Sequence, residues 1–527
     1  MKNNRDYPVF QGDSALFKTI RKMIRKINQY SPDKNKRIQG RTNNTFSRIP
    51  STINKSKEAF QKEFKNSGDL ILAEFQTTGN IRGLSVYLDG MINKDIINRD
   101  ILGPLIRNYK VEKEDPRKYI TAANIKYTEN IKQAVQEILK GNTVILLEGL
   151  DAVYIVDSKG WDKRAVEQPD VESVIRGPRE GFVESIRVNT SLIRRKIKNN
   201  HLIFENIVLG KETKTDLCIG YIEGIVNKEV LGEVKRRIGQ IDTDAILETG
   251  YIEQYIEDEP FSIFPTVGNT QKPDVAAAKL LEGRVIILCD GTPHALTIPY
   301  TFIEGIQTSE DYFLRPYQAS FLRIIRFLSF SISVMLPSLY VALTTFHHEM
   351  IPTVLLVSMA GAREGIPLPS LVECFVMIFM FEILRESGTR LPRPIGSAIS
   401  IVGALIIGES AVKAGLVSTP MVIITALTAV TSFALPTLTE SITFYRFIFL
   451  FLGGFMGLYG IVSGLFIGIA HAVSLRSFGV PYTTSFAPIN KGELKDSIIR
   501  YPLWMLKKRP ESVVKENIRR QDNTRKK

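Results

Sequence analysis

The chain is poor in the residues that most often announce chemistry. In 527 residues there are three cysteines, Cys218, Cys289 and Cys374, and five histidines. The cysteines share no ligand-like spacing and are odd in number, which argues against disulfides or a zinc site and fits a reducing compartment. The pair His347-His348 stands at the end of an apolar run and reads as interfacial rather than ligating. There is no G-x-x-x-x-G-K-[ST], no G-x-G-x-x-G, no H-E-x-x-H and no serine elbow. No enzyme is visible, and neither a cofactor nor a metal is expected. The first residues, MKNNRDYPVFQGD, lack an apolar core, so no signal peptide is expected and the region before the first span should stay in the cytoplasm.

What the chain does have is sharply divided along its length. Up to about Phe321 it is mixed and charged. Beyond that, four runs carry no acidic or basic side chain: Phe327–Phe346 (20 residues), Pro394–Gly408 (15), Ala414–Thr439 (26) and Phe447–Leu475 (29, counting His471 as neutral). Spanning a hydrocarbon core of ~30 Å takes roughly 20 apolar residues. A polytopic membrane protein follows. Residues 1–66 hold 16 Lys and Arg against 5 Asp and Glu, and residues 491–527 hold 12 against 5. Basic ends suit the anionic cytoplasmic leaflet and the positive-inside bias, so membrane lipids are an expected partner. Nucleic acid is not, because no stacking aromatics are interleaved with the charge.

Five regions are expected. Residues 1–66 form a flexible basic arm, apart from an amphipathic stretch at Leu16–Ile27. Two α/β subdomains follow at 67–140 and 141–320, then a helical membrane domain at 321–476 and a basic cytoplasmic tail at 477–527. Strands are expected at Leu70–Phe75, Gly83–Leu88, Thr143–Leu147, Ala152–Val156, Phe204–Leu209 and Leu217–Tyr221, with a hairpin at Arg284–Pro299 around Asp290-Gly291. Helices are expected at Asn93–Arg107, Ala122–Leu139, Pro178–Lys198, Lys228–Gln240, Thr243–Glu257 and Pro273–Leu281. The stretch Ala122–Leu139 reads as a long link dividing the two subdomains. The charged patch Ile175–Asn189, with Arg176, Arg179, Glu180 and Glu184, reads as a helix start with a local Glu184–Arg187 pair, at a subunit interface, rather than as an anion site.

Charge sets the expected topology. Arg315, Arg323 and Arg326 precede the first span, three arginines (Arg385, Arg390, Arg393) follow the second, and Arg476 follows the last, so these points lie inside. Four crossings result: Leu322–Phe346, Leu368–Leu384, Ile395–Val412 and Phe444–Leu475. Pro352–Ala362 and Pro420–Leu435 are left over as short segments that re-enter or line a cavity.

Two carboxylates, Glu373 and Glu382, lie inside the second apolar run, nine residues and about half a turn apart around an ideal helix. Intramembrane carboxylates are costly and face an interior, a pore or a partner. Glu382 has Arg385 at i+3 and reads as a structural ion pair. Glu373 has no basic neighbour in its own turn and reads as facing a pore or another subunit. In the next helix Ser397, Ser400, Ala404, Gly408, Ala411 and Gly415 share one stripe, with Glu409 beside it. Tight helix packing and a narrow pore wall both require such a stripe.

Several blocks together resemble one family. SVIRGPREGFVESIRVNTSLIRRKIK, NTQKPDVAAAKLLEGRVIILCDGTP, YFLRPYQASFLRIIRFLS, GAREGIPLPSLVE and FEILRESGTRLPRPIGSAISIVGALIIGESAVKAGLVS are similar to the A subunits of the GerA family of spore germination proteins, over about Asp69 to Pro502. The resemblance implies a nutrient germinant receptor subunit in the inner spore membrane, with a two-lobed cytoplasmic region. It implies partnership with a transporter-like B subunit and a lipoprotein C subunit. It also implies assembly into a pentameric ring that opens to release cations. An accessory family member resembling stage V sporulation protein AF, and a secondary transporter, are the alternatives.

Overall fold

The computed structural model describes residues 48–110, 114–122, 124–160, 172, 174, 176–390, 408–490 and 492–521, the side chains of 389 and 390 excepted. Most of the arm, including Leu16–Ile27, lies outside them.

The soluble region consists of two antiparallel α/β lobes. The first contains α1 (Ile53–Glu63), β1 (Leu70–Gln76), β2 (Arg82–Leu88), β3 (Ile125–Thr128), α2 (Ile131–Ile138), β4 (Thr143–Leu147) and β5 (Val153–Val156), in the sheet order β1-β2-β4-β5-β3. The second contains α3 (Ile186–Lys196), β6 (Leu202–Leu209), β7 (Thr215–Ile222), α4 (Lys228–Ile238), α5 (Thr249–Ile256), β8 (Gly268–Thr270), α6 (Pro273–Leu281), β9 (Val285–Cys289) and β10 (Ala295–Ile298), in the order β6-β7-β9-β10-β8. Counted from its own first strand, each lobe has the same order. The likeness reaches the backbone: Gly141 after α2 and Gly283 after α6 have φ +88° and +84°, and the hairpin residues Gly149 and Gly291 have φ +87° and +88°. Glycine reaches this left-handed region without the Cβ penalty.

Local chemistry explains the elements. β4 (TVILL) and β9 (VIILC) are apolar on both faces and buried throughout, as central strands covered on both sides must be. Asn130 caps α2 by accepting from Lys132 N, Asn227 caps α4 from Glu229 N, and Pro273 opens α6. The expected dividing helix Ala122–Leu139 does not form. Its first half is edge strand β3 and its second half is α2, both inside lobe one, because Asn130 stops one element and caps the next. The expected helix Thr243–Glu257 begins only at Thr249, capped by Glu248. β4 and β5, placed in the second subdomain by the sequence, belong to the first sheet.

The helical region contains α7 (Pro316–Thr345), α8 (Thr353–Arg363), α9 (Ser370–Arg390), α10 (Thr419–Ser432) and α11 (Thr439–Ser474). Two described helices are long and apolar enough to cross a membrane, Pro316–Thr345 and Pro436–Ser474. The second is not a rod. Ser441 Oγ donates to Ile263 O at 2.6 Å, and His471 Nε2 lies 3.2 Å from Ser262 Oγ. A straight helix would separate those two positions by ~45 Å. The chain reverses at Gly457, whose φ of +59° and ψ of −144° are not helical. A Cβ on Gly460, Gly464 or Gly468 would meet Leu452, Phe449 or Tyr445 of the first limb, so glycines every four residues let the limbs close. The single crossing expected at Phe444–Leu475 is therefore a helical hairpin.

The expected tail also folds. β11 (Arg476–Ser477) pairs with β12 (Val480–Pro481), and Tyr482, Val513 and Val514 are buried. Tyr482 O accepts from Phe302 N at 2.9 Å, and Arg237 lies 4.3 Å over the Phe478 ring. Residues 476–490 and 492–521 thus pack onto lobe two.

Candidate functional site

Three buried charged joints hold the molecule together, and two of them were not visible in the sequence. The first joins the lobes. Arg194 on α3 is fully buried and grips Asp69, with Nε to Oδ2 at 2.7 Å and Nη2 to Oδ1 at 2.9 Å. Nη2 also reaches Ser67 Oγ at 3.0 Å, and Nη1 donates to Asn199 O at 3.0 Å. A two-pronged guanidinium–carboxylate pair with all three guanidinium nitrogens bonded fixes orientation as well as distance.

The second joins lobe two, the C-terminal segment and the bundle. Arg323, two turns into α7, donates to Asp311 Oδ2 at 2.8 Å, to Asp496 Oδ1 at 3.0 Å and to Ser497 O at 2.8 Å. Arg326 Nη1 also binds Asp311, at 2.9 and 3.0 Å, and Tyr312 Oη donates to Asp496 Oδ2 at 2.9 Å. Burial pushes the Asp496 carboxyl above its ordinary value, although Arg323 pulls the other way. Arg323 Nη2 has no hydrogen-bond partner. The positive-inside bias accounts for Arg323 and Arg326 as topology signals only; their partner Asp311 lies 12 and 15 residues before them.

The third lies within the bundle. Glu382 on α9 accepts from Arg446 Nη1 at 2.8 Å and pairs with Arg385 Nη2 at 2.6 Å. Arg446, on the first limb of α11, is fully buried and also donates to Ser333 O of α7 at 2.8 Å. The local Arg385 partner was legible; Arg446 was not, because it is 64 residues away.

Glu373 sits at the opposite end of α9 and is fully buried. Its Oε1 accepts from Ser418 N at 2.5 Å and Ser418 Oγ at 2.6 Å, while Oε2 lies 3.8 Å from Arg363 Nε. Within the chain Glu373 thus fastens α9 to the start of α10 and the end of α8. Glu373 and Glu382 are both enclosed because different neighbours cover opposite sides of α9. Above this knot an apolar cavity of about 580 Å³ opens between α7, α8 and α10, lined by residues such as Leu339, Leu343, Ile351, Leu355, Met359 and Ile423.

The remaining candidates are scattered. Gly408 is buried, and a Cβ there would meet Val422 of α10 at 3.3 Å. Glu409 pairs with Lys413 at 2.7 Å on an exposed face. Ser397, Ser400, Ala404 and Arg393, and the side chain of Arg390, lie outside the described residues. In the patch after 175, Arg176 N donates to Glu310 Oε1 at 3.2 Å, Arg179 is exposed, and Glu180 pairs with Arg195 and Lys196 at 3.0 and 3.2 Å. The expected Glu184–Arg187 pair is replaced: Arg187 lies 3.7 Å from Asp89 of lobe one. Among the described residues no group of three or more His, Cys, Asp or Glu is placed to hold a metal ion, and all three cysteines are free and buried.

An α/β region joined through buried ion pairs to an apolar bundle, with two helices long enough to cross a membrane, is the architecture of a membrane protein with a large extramembrane part. The chain belongs to the Bacillus/Clostridium GerA spore germination protein family, whose model matches residues 58–512. It is 43% identical over 482 residues to spore germination protein KA of Bacillus subtilis (strain 168), covering 90% of this chain and 89% of that one. It is 40% identical over 458 residues to spore germination protein GerLA of Bacillus cereus, covering 85% and 93%. Among solved structures, the N-terminal domain of the A subunit of the Bacillus megaterium spore germinant receptor GerK3 aligns with 30% identity and a TM-score of 0.40, over 49% of this chain and 98% of that one.

Proposed function

We propose that this protein is the A subunit of a spore nutrient germinant receptor and forms a germinant-gated cation channel in the inner spore membrane. One observation carries the gating part of the reading. Lobe two is bonded to Ser441 and His471 on the two limbs of α11, and the turn Ser309–Tyr312 that leads out of it holds Arg323 on α7 through Asp311. A shift in the lobe is therefore transmitted directly to three helices.

In this reading the chain makes six membrane passages, with both termini on the spore-core side. α7 leads away from lobe two, α9 returns from Glu373 to Glu382, and the segment after Arg390 leads back to Ser418. α10 returns to the lobe, where Thr437 Oγ1 donates to Gly305 O at 3.1 Å, and the α11 hairpin supplies the last two passages. The parity is the same as in the four-crossing reading, but Pro420–Leu435 crosses. Copies assemble into a ring, a pentamer by family resemblance, with a transporter-like B subunit that binds the nutrient and a lipoprotein C subunit. The stripe Ser397, Ser400, Ala404 lines the conduction path.

The test compares Ala404→Phe with Ala404→Ser in spores, measuring oligomer level and cation release on nutrient addition. A pore wall predicts normal assembly with blocked release for Phe, and leak without nutrient for Ser, since apolar constrictions gate by dewetting. A packing contact predicts loss of assembly for Phe. Full release with Phe at 404 would exclude this helix from the path.

A further inference from the structure

The C-terminal segment comes back to the bundle at a defined depth. Arg500 N donates to Ser320 Oγ at 3.0 Å, one turn before the Arg323 joint. Ser320 precedes Phe327, the start of the uncharged run, by a rise of ~10 Å, which sets it at the outer edge of a headgroup region that is ~5–8 Å deep on each side of a hydrocarbon core. At this level the protein exposes large apolar side chains from two elements. On α7 these are Tyr317 and Phe321, 67% and 62% exposed. On the returning segment they are Ile499, Leu503 and Trp504, 51%, 52% and 38% exposed. Water is a poor neighbour for five such groups.

The segment is nevertheless held in place. Arg323 binds Asp496 and Ser497 on one side of it, and Gln521 Nε2 donates to Leu506 O at 3.0 Å on the other. Its shape is imposed, so the exposed edge is built rather than frayed. Adjoining the apolar edge in sequence are Arg315, exposed and donating to Tyr317 Oη at 3.0 Å, Lys507, and Lys508, exposed and paired with Glu511 at 2.6 Å. An aromatic and aliphatic rim flanked by cations matches the chemistry of an anionic bilayer surface: rings and aliphatic side chains settle among the headgroups while lysine and arginine meet phosphate.

We propose that Ile499, Leu503 and Trp504, with Tyr317 and Phe321, form a membrane-interface anchor that seats lobe two on an anionic leaflet. The proposal rests on α7 crossing the membrane. In consequence the Asp496–Arg323 joint, one turn further along α7 than Ser320, lies at the headgroup level beside the anchor, and lipid charge acts on the same joint that couples lobe and bundle.

The chain has two tryptophans, so Trp161→Phe leaves Trp504 as the sole reporter. The full-length variant is reconstituted in phosphatidylcholine–phosphatidylglycerol vesicles carrying bromine either near the headgroup or deep in the acyl chains. Trp504 emission is expected to be quenched by shallow bromine and spared by deep bromine. Replacing phosphatidylglycerol with phosphatidylcholine is expected to weaken the shallow quenching. A second variant, Trp161→Phe/Trp504→Phe/Leu339→Trp, reports from within the uncharged run Phe327–Phe346 of α7 and should be quenched by deep bromine. If that reporter is quenched and Trp504 is spared by both, the anchor is overturned while the membrane reading stands. If neither is quenched, the crossing of α7 fails and the anchor with it. Equal quenching of Trp504 in both lipids would overturn the anionic preference.

Discussion

Lobe one and lobe two share a strand order and the same left-handed glycines after their last helix and in their last hairpin, yet they are fastened differently. Lobe one meets lobe two through Arg194 and Asp69, both buried, with all three guanidinium nitrogens of the arginine bonded. Lobe two meets the bundle through Arg323, which spreads over Asp311, Asp496 and Ser497 and keeps Nη2 unpaired. A bidentate pair with each nitrogen bonded resists opening; a shared one with an unpartnered nitrogen gives way at lower cost. The same architecture therefore supplies a rigid joint between lobes and a more yielding one towards the helices.

Arg194→Ala tests the rigid joint and carries the largest expected effect. It leaves Asp69 buried and unpaired, which costs about 3–5 kcal/mol, whereas the double change Arg194→Met/Asp69→Leu restores most of the loss. Denaturant unfolding of the full chain and amide exchange in β1 and β6 measure it. Arg323→Ala should cost less, ~1.5–3 kcal/mol, because Arg326 still holds Asp311. Its signature is faster exchange at the start of α7 with lobe one unchanged. Equal losses for the two arginines would erase the asymmetry between the joints.

A smaller contrast lies inside the sheets. In both lobes a phenylalanine pairs with a glycine across two strands, Phe75 with Gly83 and Phe204 with Gly220. A Cβ on Gly220 would come within 2.7 Å of Ile286 and 2.9 Å of the Phe204 ring, both buried. Gly220→Ala should therefore destabilise lobe two by ~1–3 kcal/mol through overpacking. Gly83→Ala should cost less, because the Phe75 ring it meets is only half-buried and can swing outward. The melting temperatures of the two variants, compared side by side, decide this.

The smallest expected effect depends on pH. Burial, then repulsion from Glu257, Glu248 and Glu440, raises the Glu253 carboxyl to about 7. The folded state binds this proton more tightly than the unfolded chain, so the group's contribution to stability falls as pH rises from 4.5 to about 7. Because Glu440 opens α11, the ionised cluster also pushes lobe two away from the hairpin. Glu253→Gln should raise the melting temperature above pH 7, and the gain should fade towards pH 4.5. A gain that does not change with pH would mean that Gln acts through packing.

What could be read from the residues is what short-range chemistry decides. Alternating and β-branched runs placed β1, β2, β4, β6, β7 and the Asp290-Gly291 hairpin close to their observed bounds, and Pro273 marked the start of α6. The quoted blocks carried the family, and the i+3 spacing carried the Glu382–Arg385 pair. What could not be read was set by partners distant in sequence. Nothing near Asp69 announces Arg194, nothing near Glu382 announces Arg446, and Glu373 finds its donor at Ser418. The misread hairpin has the same cause. Hydropathy counts apolar residues without seeing direction, so 29 uncharged residues looked like one long span. Two clues were present: the run exceeds the roughly 20 residues one crossing needs, and glycine recurs through Gly453, Gly457, Gly460, Gly464 and Gly468. Composition permits a reversal at several of these positions. Only packing chooses Gly457, because closing the limbs there seats Gly460, Gly464 and Gly468 against Leu452, Phe449 and Tyr445 and returns His471 to the lobe that already holds Ser441.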